Sequence, residues 1–459
     1  MPRVVLISTY ELGRQPFGVA SPAAWLRAAG CQVTSLDLSR QNLDRDAVAS
    51  ASLIALYLPM HTATRLALAL IPKLRQANPS AHLCAYGLYA PMNAALLREM
   101  GVGTILGGEF EEGLASLARR LDGTAVAAQV EPEISLARQK FLVPDRAGLP
   151  ALKKYARLRL PGGRERVVGY TEASRGCKHL CRHCPIVPVY NGKFRIVAPE
   201  VVLEDICRQV AAGAQHITFG DPDFWNGLAH ARGLVRELHR EFPALTFDVT
   251  IKVEHLLKHA GCLEELRQTG CAFVTTAVES LDDQVLRHLD KHHTRADFLE
   301  LVRLFREVGL ALAPTFVPFT PWTTLDSYAD LLETLATLGL VEAVPPVQLA
   351  IRLLIPAGSR LLELPEVQAL VGSFDQRALS YCWENPDPRV EALQQDLQMM
   401  VAKMVTPQRA DREDFFRQAW QRTRAALREG RGGAEGMPLP DFALAARATV
   451  PYLTEPWYC

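Results

Sequence analysis

The sequence predicts an α/β protein in three parts: an N-terminal doubly wound domain, a partial (β/α)6 barrel and a helical C-terminal cap. Three observations predict it. Short apolar runs alternate with helix-like stretches in two separate series, one over the first 120 residues and one from about residue 165 to residue 355. Three cysteines crowd the loop after the first apolar run of the second series, where a barrel of this kind places its active groups. From about residue 371 the apolar spacing becomes mainly helical. A chain of 459 residues is also too long for one ordinary core, so two or three domains are expected.

In the first series, "RVVLIS" (3–8), "QVTSLDL" (32–38), "LIALYLP" (53–59), "HLCAYGL" (82–88) and "TILGG" (104–108) read as strands. Helical stretches such as "SPAAWLRAAG" (21–30) and "TRLALALIPKLRQAN" (64–78) separate them. Strand–helix alternation with short loops gives a parallel, Rossmann-like domain over 1–122, which binds ligands at the carboxyl ends of its strands. Residues 123–164 form a connector with little periodicity.

The barrel is expected over 165–370, with strands at "ERVVGYTEAS" (165–174), "HITFGD" (216–221), "TFDVTIK" (246–252), "AFVTTAVES" (272–280), "LALAPTFVPF" (310–319) and "PVQLAIRLL" (346–354). Helices such as "PEVVLEDICRQVAAGA" (199–214) and "ADFLELVRLFREVGLA" (296–311) lie between them. The region 371–459 holds two helical stretches, a glycine-rich break "GRGGAEGMP" and the tail "TVPYLTEPWYC".

Lysine plus arginine equals aspartate plus glutamate, 50 each, so nothing in the charge balance points to nucleic acid or an anionic membrane as partner. The opening "MPRVVLISTYELG" has too short an apolar run for a signal peptide, and stretches such as "LALALIP" (66–72) cannot cross a bilayer. A cytoplasmic protein is expected. Thiols stay reduced there, so the ten cysteines are not read as a disulfide framework. The scattered ones read as small buried hydrophobes, with Cys459 set apart by its place in the tail.

"ASRGCKHLCRHCPI" (173–186) is the exception. It spaces Cys177, Cys181 and Cys184 as Cys-x3-Cys-x2-Cys and offers no fourth. Structural zinc needs four ligands, and His179 or His183 would have to complete the set. Three thiolates instead hold three irons of a [4Fe–4S] cube and leave the fourth iron open. The amine and carboxylate of S-adenosylmethionine (SAM) suit that position, and an electron from the cluster then breaks a carbon–sulfur bond beside the sulfonium. His183 reads as a ring packed near the cube, with proton handling as the alternative.

With these residues in place, 166–355 resembles the radical S-adenosylmethionine superfamily, and more narrowly its members with an N-terminal cobalamin-binding-like domain. "FGDPDFWNG" (219–227) stands where the family has a glycine-rich motif contacting the SAM amino group, and "TTAVESLDDQVLRHLDKHHT" (275–294) is similar to its G-V-E-S…L…K segment. "GGEFEEGL" (107–114) resembles the loop closing the N-terminal domain. The resemblance implies that Glu279 and Ser280 lie against the ribose and methionyl part of SAM. Asp221 and Asp223, at a strand end, are candidate SAM contacts or helix caps. Lys252 and Glu254 leave the third barrel strand as cofactor or substrate contacts, or as a salt bridge. Arg352, at the end of the sixth, has the planar guanidinium that suits the SAM carboxylate. "PFTPWTT" (318–324) stands in place of the family's adenine-contact motif and leaves that contact unassigned.

Cobalamin is a candidate third cofactor. The Asp-x-His-x-x-Gly ligand signature is absent, and His61 is the one histidine at an N-terminal strand end, so a corrinoid would sit with its lower face unligated, or the domain is a scaffold. "STYELGRQPFGVASPAAWLRAAG", "CWENPDPRVEALQ" and "LTEPWYC" look like a radical SAM family named for its CUAEP/CCAEP tail, in which a cysteine precedes selenocysteine or cysteine and then Ala-Glu-Pro. Cys459 corresponds to the first of those positions and is a candidate catalytic residue, a soft ligand on a tail able to reach the barrel mouth. The arrangement is similar to that of the radical SAM enzymes of arsinothricin biosynthesis. This implies a transferase that moves the 3-amino-3-carboxypropyl group of SAM to a soft acceptor such as trivalent arsenic. The alternatives are a cobalamin-dependent methyltransferase and, in another class, a non-catalytic iron–sulfur or zinc sensor. A small-molecule substrate and an external flavodoxin- or ferredoxin-like electron donor complete the expectation.

Overall fold

The computed structural model describes residues 1–123, 130–404, 412–431 and 451–454. All five expected N-terminal strands form: β1 (Arg3–Ser8), β2 (Gln32–Asp37), β3 (Leu53–Tyr57), β4 (His82–Tyr86) and β5 (Thr104–Gly108). They pair in parallel in the order β2-β1-β3-β4-β5, and the connector adds β6 (Ile134–Ser135) beside β5. β3 is buried along its whole length, as an apolar strand covered on both faces should be. Helices Phe17–Ala28 and Glu111–Leu121 cover one face through Val19, Leu26, Leu114 and Leu117. Helix His61–Ala77 covers the other through Ala67, Ile71 and Leu74.

The connector also feeds the second sheet. Its β7 (Arg157–Arg159) pairs antiparallel with β8 (Glu165–Thr171). After β8 comes a short hairpin, β9 (Ser174–Gly176) against β10 (Phe194–Ile196), and the clustered cysteines lie in its loop. β8, β11 (His216–Phe219), β12 (Thr246–Thr250), β13 (Cys271–Glu279) and β14 (Ala311–Phe316) then run in parallel as a partial barrel. The sixth expected strand does not form. Residues Pro346–Leu349 make a 3-10 turn, and a single bridge between Phe319 and Arg352 holds the sixth position. Pro345 and Pro346 have no N–H to give a ladder, and the Gln348 side chain accepts from the Phe316 N–H where a strand backbone would have done so.

The C-terminal cap opens on a hairpin that its helical spacing did not predict: β15 (Val371–Asp375) and β16 (Ser380–Trp383). Asp375 accepts from the N–H groups of Arg377 and Ala378, and Leu379 takes a left-handed φ of 50°, which is turn chemistry rather than helix chemistry. The expected helices follow at Pro388–Met404 and Arg412–Arg431. Phe415, Phe416 and Trp420 join the core built by Val249, Val274 and Phe316 of the barrel. A last pair of residues, β17 (Tyr452–Leu453), lines the outer edge of β7. No helix among the described residues is long and apolar enough to cross a membrane.

Candidate active site

Both parallel sheets aim their carboxyl ends at one cavity of about 1180 Å³. The N-terminal sheet lines it with Glu11, Tyr57, His61 and Phe110, the barrel with Asp221, Thr275 and Glu279, and the cap with Arg377 and Gln394. The cysteine loop enters from the barrel side through His183 and Cys184.

Asp221 anchors the base of that loop. Its Oδ2 accepts from the Ala173 N–H at 3.0 Å and its Oδ1 from the Ser174 hydroxyl at 2.5 Å. Burial pushes its carboxyl up to about 6, although the hydrogen bonds pull the other way. Gly176 turns the chain into the loop at φ 73°; a Cβ there would sit 2.4 Å from the Tyr190 ring and 2.5 Å from the Lys193 carbonyl. The Arg182 N–H donates to the Leu289 carbonyl and fixes the far side. An Asp221→Ala change leaves the Ala173 N–H and the Ser174 hydroxyl without their acceptor. We expect it to cost about 1–3 kcal/mol of stability, read as a lower denaturation midpoint.

The donor set fits an iron–sulfur cluster better than one metal ion. Burial raises the Cys177 thiol to about 11 and the Cys184 thiol to about 12, so near neutral pH they ionise only for a cationic partner. Among the described residues, the sets of three ligand atoms lying within 4.8 Å of one another do not include these thiols, as a single zinc would require. Nor does either histidine supply the fourth zinc ligand. His183 Nε2 lies 3.1 Å from Glu279 Oε1, and His179 Nε2 lies 3.4 Å from Asp223 Oδ2.

The structure separates the residues singled out for SAM. Glu279 lines the cavity in a left-handed conformation, φ 68°, at a register break of β13. Burial alone would raise its carboxyl, but Lys291 Nζ at 3.3 Å and His183 outweigh it and hold the group at about 2. Ser280 lies off this cavity: its hydroxyl accepts from the Asp282 N–H, and it lines a smaller space with Tyr328. Asp223 is also off the cavity; its Oδ1 caps the Trp225 N–H, and its Oδ2 faces His255 and His179. Lys252 takes the salt-bridge option, with Nζ 3.0 Å from Glu254 and 3.3 Å from His179 Nδ1. Arg352 borders the cavity, but its guanidinium pairs with Glu391, donates to the Trp383 carbonyl and stacks 3.6 Å from the Trp383 ring. It ties the cap to the barrel. Cys459 lies outside the described residues.

One group escaped the sequence reading. Arg175, buried two residues before Cys177, reaches across to the N-terminal domain. Its guanidinium lies 2.6 Å from Glu111, 3.5 Å from Glu109 and 2.8 Å from Glu172, with the Phe141 ring 4.9 Å away. The signal was present in "GGEFEEGL" and in the charged run "TEASRG", but their pairing is visible only in three dimensions.

Residues 171–335 match the Radical SAM superfamily. The chain carries a radical SAM domain. That span includes all three clustered cysteines, and the superfamily it matches uses a [4Fe–4S] cluster and SAM. Within this region the chain is similar to the tRNA-2-methylthio-N(6)-dimethylallyladenosine synthase of Desulfosudis oleivorans, 28% identical over 191 residues, which are 39% of this chain and 38% of that protein. The chain thus spans well under half the length of that curated relative. Solved structures match beyond the radical SAM domain. The radical S-adenosylmethionine methyltransferase TsrM of Kitasatospora setae, bound to tryptophan and a SAM analogue, is similar at TM-score 0.64, covering 87% of this chain and 89% of its own at 18% identity. The cobalamin-dependent S-adenosylmethionine radical enzyme OxsB, bound to aqua-cobalamin and SAM, is similar at TM-score 0.71, covering 93% of this chain and 72% of its own at 14% identity. The expected architecture, a doubly wound domain before the partial barrel of a radical SAM domain, is the shared fold.

Proposed function

We propose that this chain is a radical SAM transferase that moves a SAM-derived carbon group to a small molecule held between the two sheets. The cavity carries this reading. At about 1180 Å³ it exceeds the ~300–1,000 Å³ usual for one small ligand, so SAM and a second molecule can share it. Cys177, Cys181 and Cys184 would hold the cluster, which when reduced supplies the electron that cleaves a carbon–sulfur bond of SAM. The chain's own residues orient and shelter. Asp221 fixes the cysteine loop, Glu279 offers a permanently charged acceptor at the cavity wall, and the cap lines the space with Arg377 and Gln394.

The N-terminal wall of the cavity presents the rings of Phe17, Tyr57 and Phe110. It fits a corrinoid held by apolar contact. It supplies no histidine for the metal: His61 Nε2 lies 2.5 Å from the Ala378 carbonyl of the cap hairpin. Together with the likeness to OxsB and TsrM, this wall favours corrinoid-assisted methyl transfer. The second reading, 3-amino-3-carboxypropyl transfer to trivalent arsenic, rests on the resemblance of the tail to the CUAEP/CCAEP family. Cys184 is the cavity-lining cysteine among the described residues, so a thiol for arsenic would have to come from Cys459. Both readings need an external one-electron donor, of flavodoxin or ferredoxin type, and place the protein in the cytoplasm without a nucleic-acid partner.

Anaerobic reconstitution with iron and sulfide, then SAM and dithionite, with and without hydroxocobalamin and arsenite, tests them. Retention of a corrinoid spectrum through desalting, with 5′-deoxyadenosine or S-adenosylhomocysteine released, is the expected result for methyl transfer. Methylthioadenosine, with an adduct formed only when arsenite is present, would shift the assignment to the second reading. Intact SAM with the cluster present would sink both and leave a sensor.

A further inference from the structure

Outside the cavity, three ligand atoms converge that the reaction above does not use. His179 Nε2, Asp223 Oδ2 and His255 Nδ1 all lie within 4.8 Å of one another. His255 approaches the carboxylate to 2.7 Å and His179 to 3.4 Å. All three atoms are buried, yet none makes a hydrogen bond of proper geometry. Asp223 is 1% exposed and His255 2%. A carboxylate and two imidazoles sealed together in this way are costly unless a cation gathers their lone pairs.

The other ends of two of these groups are occupied. Asp223 spends Oδ1 on the Trp225 N–H, which turns Oδ2 toward the histidines. His179 Nδ1 faces Lys252 Nζ at 3.3 Å, and that ammonium pairs in turn with Glu254 Oε2 at 3.0 Å. Glu254 is 39% exposed and marks a way in from solvent. The ligands also come from three separate elements: the cysteine loop, the turn after β11 and the helix Val253–Lys258 after β12. Two nitrogens and one carboxylate oxygen are a donor set for zinc or ferrous iron.

We propose that His179, Asp223 and His255 bind one divalent cation of the Zn²⁺/Fe²⁺ class beside the cluster cysteines. The ion crosslinks the Cys177–Cys181 segment to two strand ends of the barrel.

The test uses the full chain after iron–sulfur reconstitution. The protein is desalted, given Zn²⁺, desalted again and analysed for both metals. The wild type should keep about one zinc per chain with its iron unchanged. H255Q should keep its iron and lose its zinc to background. Failure of the wild type to retain zinc, equal retention by H255Q, or zinc gained as iron is lost would each overturn the site. Should H255Q not fold, Co²⁺ added to the reconstituted wild type decides. Visible d–d absorption without a thiolate charge-transfer band supports the site. A thiolate band, or no cobalt taken up, refutes it. Neither readout depends on SAM turnover, so the site can fail while the transferase reading stands.

Discussion

Replacing Cys177, Cys181 or Cys184 with alanine should remove the iron–sulfur chromophore and bring SAM cleavage to background, while the fold survives. The two effects separate because of where the thiols sit. Cys181 is buried, Cys177 and Cys184 are partly exposed in the loop of the β9–β10 hairpin, and none of them builds the barrel core. That core rests on residues such as Val249, Val274 and Phe316. Each substitution therefore costs a packed side chain at a loop, not a cavity in the centre. Iron content, the visible spectrum and far-ultraviolet circular dichroism on the same samples check this. A variant that kept a full cluster and cleaved SAM would remove the basis of the assignment. Structural zinc makes a different forecast, since losing one of its ligands unfolds the segment it holds.

Arg175→Met should be strongly destabilising. It strips the guanidinium from the buried Glu109 and Glu111 and from the partly buried Glu172, and leaves their charge uncompensated. Losing one partner of a buried ion pair costs about 3–5 kcal/mol. The loss should depend on pH. Burial, and after it repulsion between the acids, holds Glu109 at about 7 even with Arg175 present, and Glu172 likewise. Both values lie above the ordinary carboxyl range of about 4.3 that applies in the unfolded chain. The folded state thus binds these protons more tightly. Their contribution to stability is complete below the ordinary range and disappears as pH rises through 7. Wild-type stability should accordingly fall over that window. The Arg175→Met deficit should be small at pH 5, where the acids can carry protons, and large at pH 8. Denaturation midpoints at the two pH values decide it, and an equal deficit at both would show that Arg175 acts by packing alone.

The strands with clear period or continuous β-branched runs were legible before the structure, from "RVVLIS" at the start to "AFVTTAVES" in the barrel. So was the cysteine triplet, whose meaning lies in spacing along the chain. What stayed hidden was set by contacts distant in sequence. Arg175 and Glu111 are 64 positions apart, and no local pattern joins them. Asp223 read equally as a cofactor contact or a helix cap; it caps Trp225, and His179 of the cysteine loop and His255 of the helix after β12 face its other oxygen. "PVQLAIRLL" carried a strand's composition, while Pro346 and the preceding Pro345 removed donors a strand needs. The hairpin at 371–383 was masked by the helical periodicity that follows it.

The stretch between the two sheets has a consequence for anyone who wants to exchange parts. It gives β6 to one sheet and β7 to the other. Between them Arg146 is a rivet: it pairs with Asp205 at 2.8 Å, donates to the Tyr170 carbonyl and also holds Gln15 of the first domain. The halves are therefore not beads on a string. A chimera that swaps in a foreign N-terminal sheet must carry residues 130–164 with one parent and rebuild the seam with the other. A cut placed at residue 123 alone would part β6 from β5 and leave the outer edge of the first sheet free to pair with the wrong neighbour.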